Sequence, residues 1–311
     1  MVLDFSLYIL SFVAIWFGAG LIVSSVEDLS KKLNISSFAV SFFVLGILTS
    51  IPEASVGINS IIDGNPEIFV GNLIGASLVL FLLVIPLLAF FGNGIRLAHQ
   101  LDGKSLLVSL AVVASPVYFI LDKKVTPYEG SFLIFLYIIL FYLIEKKKGL
   151  LEKIREVTSV RKTHILEDIM KIIAGSAIVF YASSMIVDKT IYFSDVFNIS
   201  SYLISLLVLS IGTNMPELSL AVRAITLGKK DIALGDYVGS AAANTLFFGL
   251  LSILNRSEVN VSNHYIETFV FTILGLGLFY YFTRSKNDIS RREGVILLFV
   301  YFMFVLIEII G

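Results

Sequence analysis

Gly212-Thr213-Asn214-Met215-Pro216-Glu217-Leu218-Ser219 puts a proline and a carboxylate inside an apolar run long enough to cross a bilayer. A carboxylate at membrane depth is expensive, and such residues mark ion pathways and ligand sites. Pro216 lacks an N–H and clashes with the carbonyl four residues back, that of Gly212. Thr49-Ser50-Ile51-Pro52-Glu53-Ala54-Ser55 carries the same pattern 164 residues earlier, with Pro52 set against the carbonyl of Leu48. The two stretches are either one cation site or two unrelated helix kinks, and the rest of the chain decides between them.

The 311 residues are 57% hydrophobic and 15% charged, with a mean hydropathy of +0.91. A soluble domain runs about 45–50% apolar and roughly 25% charged, so an integral membrane protein is expected. The net charge of −1 argues against a polyanionic partner, and the absence of cysteine excludes disulfides, thiolate metal sites and a catalytic thiol. His99, His164 and His264 fall near helix ends and read as surface residues. The N-terminus lacks a basic leader region, so Phe5 onward reads as a retained first span.

Apolar runs of about 20 residues place ten spans, near 5–26, 35–61, 68–92, 104–121, 129–145, 167–188, 199–226, 231–253, 264–283 and 293–310. With both termini outside, 19 of the 23 basic residues fall in inner loops and 4 in outer loops (Lys123, Lys124, Lys189 and Arg256). The positive-inside rule selects that orientation. The polar stretch 146–166, which begins Lys146-Lys147-Lys148, divides the chain into 1–145 and 167–311 with a cytoplasmic connector between.

Residue i laid over residue i+164 matches Asn34-Ile35-Ser36-Ser37 with Asn198-Ile199-Ser200-Ser201. It also matches Thr49 with Thr213, Pro52 with Pro216, Glu53 with Glu217, and Gly64, Gly71 and Gly75 with Gly228, Gly235 and Gly239. Eighteen of the 50 positions from 34 to 83 are identical. Each half holds five spans, an odd number, so the halves insert in opposite directions. The expected fold is all-α, ten transmembrane helices built as two inverted five-helix repeats, an architecture whose substrate sites lie at the midplane where interrupted helices meet.

Loosened carbonyls, threonine hydroxyls and two carboxylates make the oxygen set a hard cation requires; Ca²⁺ takes 6–8 such ligands. Gly71-Asn72-Leu73-Ile74-Gly75 is matched by Gly235-Asp236-Tyr237-Val238-Gly239. The glycines suit close helix packing. Asn72 and Asp236 could touch the cation, brace the glutamates or line a water path. Ser240 and Asn244 share a helix face, whereas their repeat equivalents, Ala76 and Leu80, carry no side-chain oxygen. Pro86 and Pro116 read as kinks, and Glu308 as a residue reaching the outer interface.

Gly212-Thr213-Asn214-Met215-Pro216-Glu217 is similar to the second-repeat signature of the calcium/cation antiporter superfamily, with Asn214 where serine is common. Ile47-Leu48-Thr49-Ser50-Ile51-Pro52-Glu53 is similar to the first, with Leu48 where glycine is usual. Over both repeats, about 34–83 and 198–248, the chain resembles this superfamily and in particular the prokaryotic sodium/calcium exchangers. The resemblance implies that Glu53 and Glu217 coordinate Ca²⁺ with Thr49 and Thr213. Sodium would use the same carboxylates with Ser240 and nearby carbonyls, and spans 1 and 6 would move across the fixed site. The candidate cation-site set is Glu53, Glu217, Thr49, Thr213, Ser50, Asn214, Ser240, Asn244, Asn72 and Asp236. Ala76, Leu80 and Asn244 depart from the family pattern, which implies fewer Na⁺ per Ca²⁺ or the use of H⁺, and no potassium dependence.

The expectation is a Ca²⁺/Na⁺ secondary antiporter, a monomer in the cell membrane with several spans. It is not an enzyme, needs no cofactor beyond the transported Ca²⁺ and Na⁺ (or H⁺), and has inorganic cations and the lipid bilayer, not nucleic acid, as partners. A Ca²⁺/H⁺ antiporter of the same fold and a non-coupled cation-binding relative are the alternatives. A passive channel sits poorly with an inverted repeat around a shared site, and a hydrolase lacks a supporting metal-ligand spacing.

Overall fold

The computed structural model describes residues 2–32, 42, 46–96, 103–148, 165–215, 217–218, 234–261, 265–286 and 288–310. Its helices fall on the apolar runs. The first half holds α1 (Val2–Lys32), α2 (Gly46–Thr49), α3 (Ile51–Ile62), α4 (Glu67–Val79), α5 (Ile85–Phe91), α6 (Gly103–Phe119) and α7 (Pro127–Lys148). The second holds α8 (Ile165–Phe197), α9 (Ser201–Ile204), α10 (Ser210–Thr213), α11 (Leu234–Leu254), α12 (Tyr265–Lys286) and α13 (Arg291–Ile310). A π-helical turn, π1 (Leu80–Val84), joins α4 to α5, and another, π2 (Ser205–Leu209), joins α9 to α10. Among the described residues six helical runs are long and apolar enough to cross a bilayer; Leu3–Gly18, Gly103–Phe119 and Ser201–Thr213 are shorter apolar helices.

Short strand pairs stand at the loops between the helices. Strand β1 (Ile95–Arg96) pairs antiparallel with β4 (Asp288–Ile289), and β2 (Lys124–Val125) with β3 (Val259–Asn260). Backbone groups leaving a helix must find partners, and these two-residue ladders supply them. An ion pair of 2.7 Å from Lys124 to Glu258 flanks the second ladder and holds the exposed ammonium above its ordinary pKa.

The expected span 35–61 is no single rod. Helix α2 stops at Thr49 and α3 starts at Ile51, with Pro52 in its first turn where a missing N–H costs nothing. Helices α1 and α8 run past the expected 5–26 and 167–188, and α7 continues to Lys148, into the expected connector. Residues 149–164, and the Asn34–Ser37 part of the repeat, lie outside the described residues. Glu308 is corrected too: it is fully buried, and Thr268 on α12 donates to it at 2.7 Å.

The run from α4 to α5 is the centre of the bundle, 83% buried over its most apolar window, and α11 follows at 72%; α7 and α8 are only 28% buried. The peripheral helices turn Phe17, Tyr142, Tyr181 and Phe299 outward, as a lipid-facing surface would. Helix α1 lies along α8. A Cβ added at Gly18 would stand 2.9 Å from the Gly175 carbonyl, while Tyr8 meets Thr190 at 3.1 Å and Lys189 meets Asp4 at 2.8 Å.

The 164-residue shift acts on contacts as well as on sequence. Applied to the Ile95–Ile289 and Arg96–Asp288 register it returns Val259–Val125 and Asn260–Lys124, the register of the other ladder. It carries the N-terminal box of α7 onto that of α13. Glu129 accepts from the Thr126 N–H at 2.6 Å and hydroxyl at 2.9 Å, and Glu293 accepts from the Ser290 N–H and hydroxyl at 2.7 Å each.

Candidate cation site

Two close crossings assemble the site, and glycine allows both. A Cβ at Gly46 of α2 would lie 2.5–2.8 Å from the backbone of Gly239 and Ser240 on α11, and one at Gly239 would strike the Phe42 carbonyl. On the other side, a Cβ at Gly75 of α4 would strike the Leu206 carbonyl of π2 and sit 2.8 Å from the Ser210 side chain. The shift by 164 turns Gly75–Leu206 into Gly239–Phe42, and Gly46–Gly239 into Ser210–Gly75. The interrupted stretches α2/α3 and π2/α10 are thereby pressed against the two central helices, each against the one from the other half.

Of the candidate residues, Glu53, Glu217, Thr49, Ser50, Thr213, Asn214, Asn72, Ser240 and Asn244 are all at most 5% exposed. Ser50 meets the Ser240 hydroxyl at 3.1 Å and its carbonyl at 3.2 Å, joining α11 to the break between α2 and α3. The Thr213 hydroxyl lies 3.3 Å from Asn72 Oδ1 and also stands against the Glu53 carboxylate, joining α10, α4 and α3. Thr49 donates to the Gly46 carbonyl at 3.3 Å. Asp236 lies on α11, but its side chain, like Pro216 and Ser219, is outside the described residues.

Several buried polar atoms here lack hydrogen bonds: both oxygens of Glu53, Nδ2 of Asn72, Oδ1 of Asn214 and both amide atoms of Asn244. Such groups are rare in folded proteins, and an ion or water is a common reason for them. Among the described residues no Lys, Arg or His is buried, so none of these neutralises the carboxylates from within. No cluster of three or more His, Cys, Asp or Glu occurs among the described residues. The candidate donors among the described residues are two carboxylates and neutral oxygens, a set suited to a hard, exchangeable cation.

Sequence reading missed Ser210. Its carbonyl accepts from Thr213 Oγ1 at 3.3 Å and Asn214 Nδ2 at 2.8 Å, and so fixes two candidate ligands. The available signal was its spacing, three and four residues before them on one helical face.

The family model described as sodium/calcium exchanger protein matches residues 3–144 and 169–310. The sodium/calcium exchanger MaX1 of Methanosarcina acetivorans is 24% identical over 98% of both chains. The putative antiporter CaxA of Alkalimonas amylolytica is 25% identical over 92% of both, and the inner membrane protein YrbG of Escherichia coli 24% identical over 96% of this chain and 94% of its own. Among solved structures, the sodium-calcium exchanger NCX_Mj soaked with 2.5 mM Na⁺ and 0.1 mM Sr²⁺ superposes with a TM-score of 0.69, at 22% identity and 98% coverage of each chain. That likeness concerns the fold. With its matched segments covering both halves of the sequence, this chain belongs to the sodium/calcium exchanger protein family.

Proposed function

We propose that this antiporter exchanges Ca²⁺ for Na⁺ by alternating access around a midplane site built from Glu53 and Glu217. Thr49, Thr213, Ser50, Asn214, Ser240, Asn244, Asn72 and Asp236 supply the surrounding oxygens. The frame is ten spanning helices in two inverted halves, 1–145 and 167–311, joined by a cytoplasmic connector at 146–166, with both termini outside. The single observation that carries this reading is Glu53, a buried carboxylate that faces Thr213 from the other half. A carboxylate so placed is stable when a cation supplies what the protein withholds. The exchange of ladders, capping boxes and glycine crossings under one 164-residue shift supports the inverted repeat.

Leu80 and Ala76 are fully buried and carry no side-chain oxygen, which supports a smaller Na⁺ complement than in relatives with polar residues at those positions. Protein in liposomes, loaded with ⁴⁵Ca²⁺ and exposed in turn to a Na⁺ gradient and a pH gradient, tests the reading. Release driven by Na⁺ alone, with fewer Na⁺ per Ca²⁺ than those relatives carry, is expected. Release driven only by the pH gradient would transfer the same site to Ca²⁺/H⁺ exchange.

A further inference from the structure

We propose that a small cavity behind the cation site, between α4, α6, α11 and α12, is a binding site for one structural water that holds the Asn244 side chain in place. The cavity has a volume of about 10 Å³ and is lined by Ser77, Asn244, Thr245 and Thr272 against the apolar walls of Pro116 and Phe248. Neither Glu53 nor Glu217 lines it. Its volume is about that of one water-sized sphere, and a buried water needs two to four polar partners.

The hydrogen bonding around the cavity selects the occupant. Ser77 donates its hydroxyl hydrogen to the Leu73 carbonyl at 3.2 Å, Thr272 to Thr268 at 2.7 Å, and Thr245 to Val112 at 3.1 Å. All three hydroxyls have therefore spent their hydrogens and offer only lone pairs. Asn244 is 2% exposed, and neither its oxygen nor its nitrogen has a hydrogen bond. A water can donate to two of these acceptors and accept from the amide N–H, which a bare metal ion cannot do. The match holds whichever way the amide is turned.

Pro116 explains why a cavity exists here. It lies inside α6 and removes the hydrogen bond to the Val112 carbonyl four residues back. That carbonyl instead takes hydroxyls from Ser115 at 2.6 Å and from Thr245 on α11. Diverting Thr245 to α6 leaves Asn244, its neighbour in the chain, beside the space. The water is a positioning ligand: it orients an amide that the proposed site uses. Its effect on cation affinity rests on that reading of the site, but its presence does not.

A structure at a resolution that shows ordered solvent, determined in Na⁺-free buffer and again with Tl⁺ as a monovalent probe, decides the occupant. One peak within hydrogen-bond reach of Asn244 and Thr272 in both conditions, without Tl⁺ anomalous signal, is expected. No peak, or a Tl⁺ signal at that point, overturns the proposal. For the positioning role, Ca²⁺ titration of Thr272→Val is expected to show affinity about three- to tenfold weaker, the loss of roughly one hydrogen bond, with Thr272→Ser restoring it. Wild-type affinity in Thr272→Val would refute that role. The density result stands whether or not the wild type binds Ca²⁺, so the site and the exchanger reading fail separately.

Discussion

Glu53 concentrates the site's electrostatics in one side chain. Glu53→Gln keeps shape and removes the charge that would draw a divalent cation to the proposed site. Calorimetric titration of the purified protein with Ca²⁺ should show affinity lowered at least about 100-fold, the loss of roughly 3 kcal/mol. Unchanged affinity would move the site elsewhere. The repeat also isolates a single missing oxygen. Ser50 bonds Ser240; shifted by 164, that pair becomes Asn214 and Ala76. Alanine offers nothing, so Asn214 turns its amide nitrogen to the Ser210 carbonyl and its Oδ1 makes no hydrogen bond. Ala76→Ser returns a hydroxyl to that position. It should raise the melting temperature, by an amount corresponding to about 1 kcal/mol, and steepen the Na⁺ dependence of Ca²⁺ release. A melting temperature at or below wild type would separate Asn214 from position 76.

At the scale of elements, the caps and ladders tie the two halves to one plan. Thr126 starts α7 and Ser290 starts α13 through the same hydroxyl–glutamate exchange. Thr126→Ala and Ser290→Ala should each cost about 1 kcal/mol of stability, and because the two boxes share no hydrogen-bond partner the double variant should lose the sum. Melting curves in detergent check this; a loss confined to one of the two would break their equivalence. Both caps were legible as Thr-x-x-Glu and Ser-x-x-Glu, yet residue matching ended at position 83. The intervening helices need only be apolar toward lipid, so their identities drift while the capping chemistry stays. The break at Ser50 was legible because Pro52 forbids a regular turn. The π turns were not, since Leu80–Val84 and Ser205–Leu209 read like any apolar helix. Glu308 was misread because its position near a helix end said nothing of Thr268, 40 residues away in the chain, which covers it.

Across the whole molecule, a buried centre carries the oxygens while the long pair α1 and α8 lies over it. Two of the contacts between pair and centre fall at positions 48 and 212, which the repeat matches. A Cβ at Gly212 would strike the Phe12 ring of α1, and Leu48, which the shift places on Gly212, packs against Val179 of α8. Bulk comes from the peripheral helix in one half and from the central stretch in the other, which accounts for leucine at 48 and glycine at 212. If α1 and α8 slide to open the site alternately to each side, a bond between Phe12 and Gly212 must stop transport without emptying the site. The chain has no cysteine, so Phe12→Cys with Gly212→Cys forms a clean pair. Cross-linking by Hg²⁺ or a short thiol reagent should arrest ⁴⁵Ca²⁺ flux, and reductant should restore it. Phe12→Cys alone should transport with or without the reagent, and the cross-linked protein should still bind Ca²⁺. Flux that survives complete cross-linking would show that α1 travels with the centre, and the moving element would then have to be sought elsewhere in the bundle.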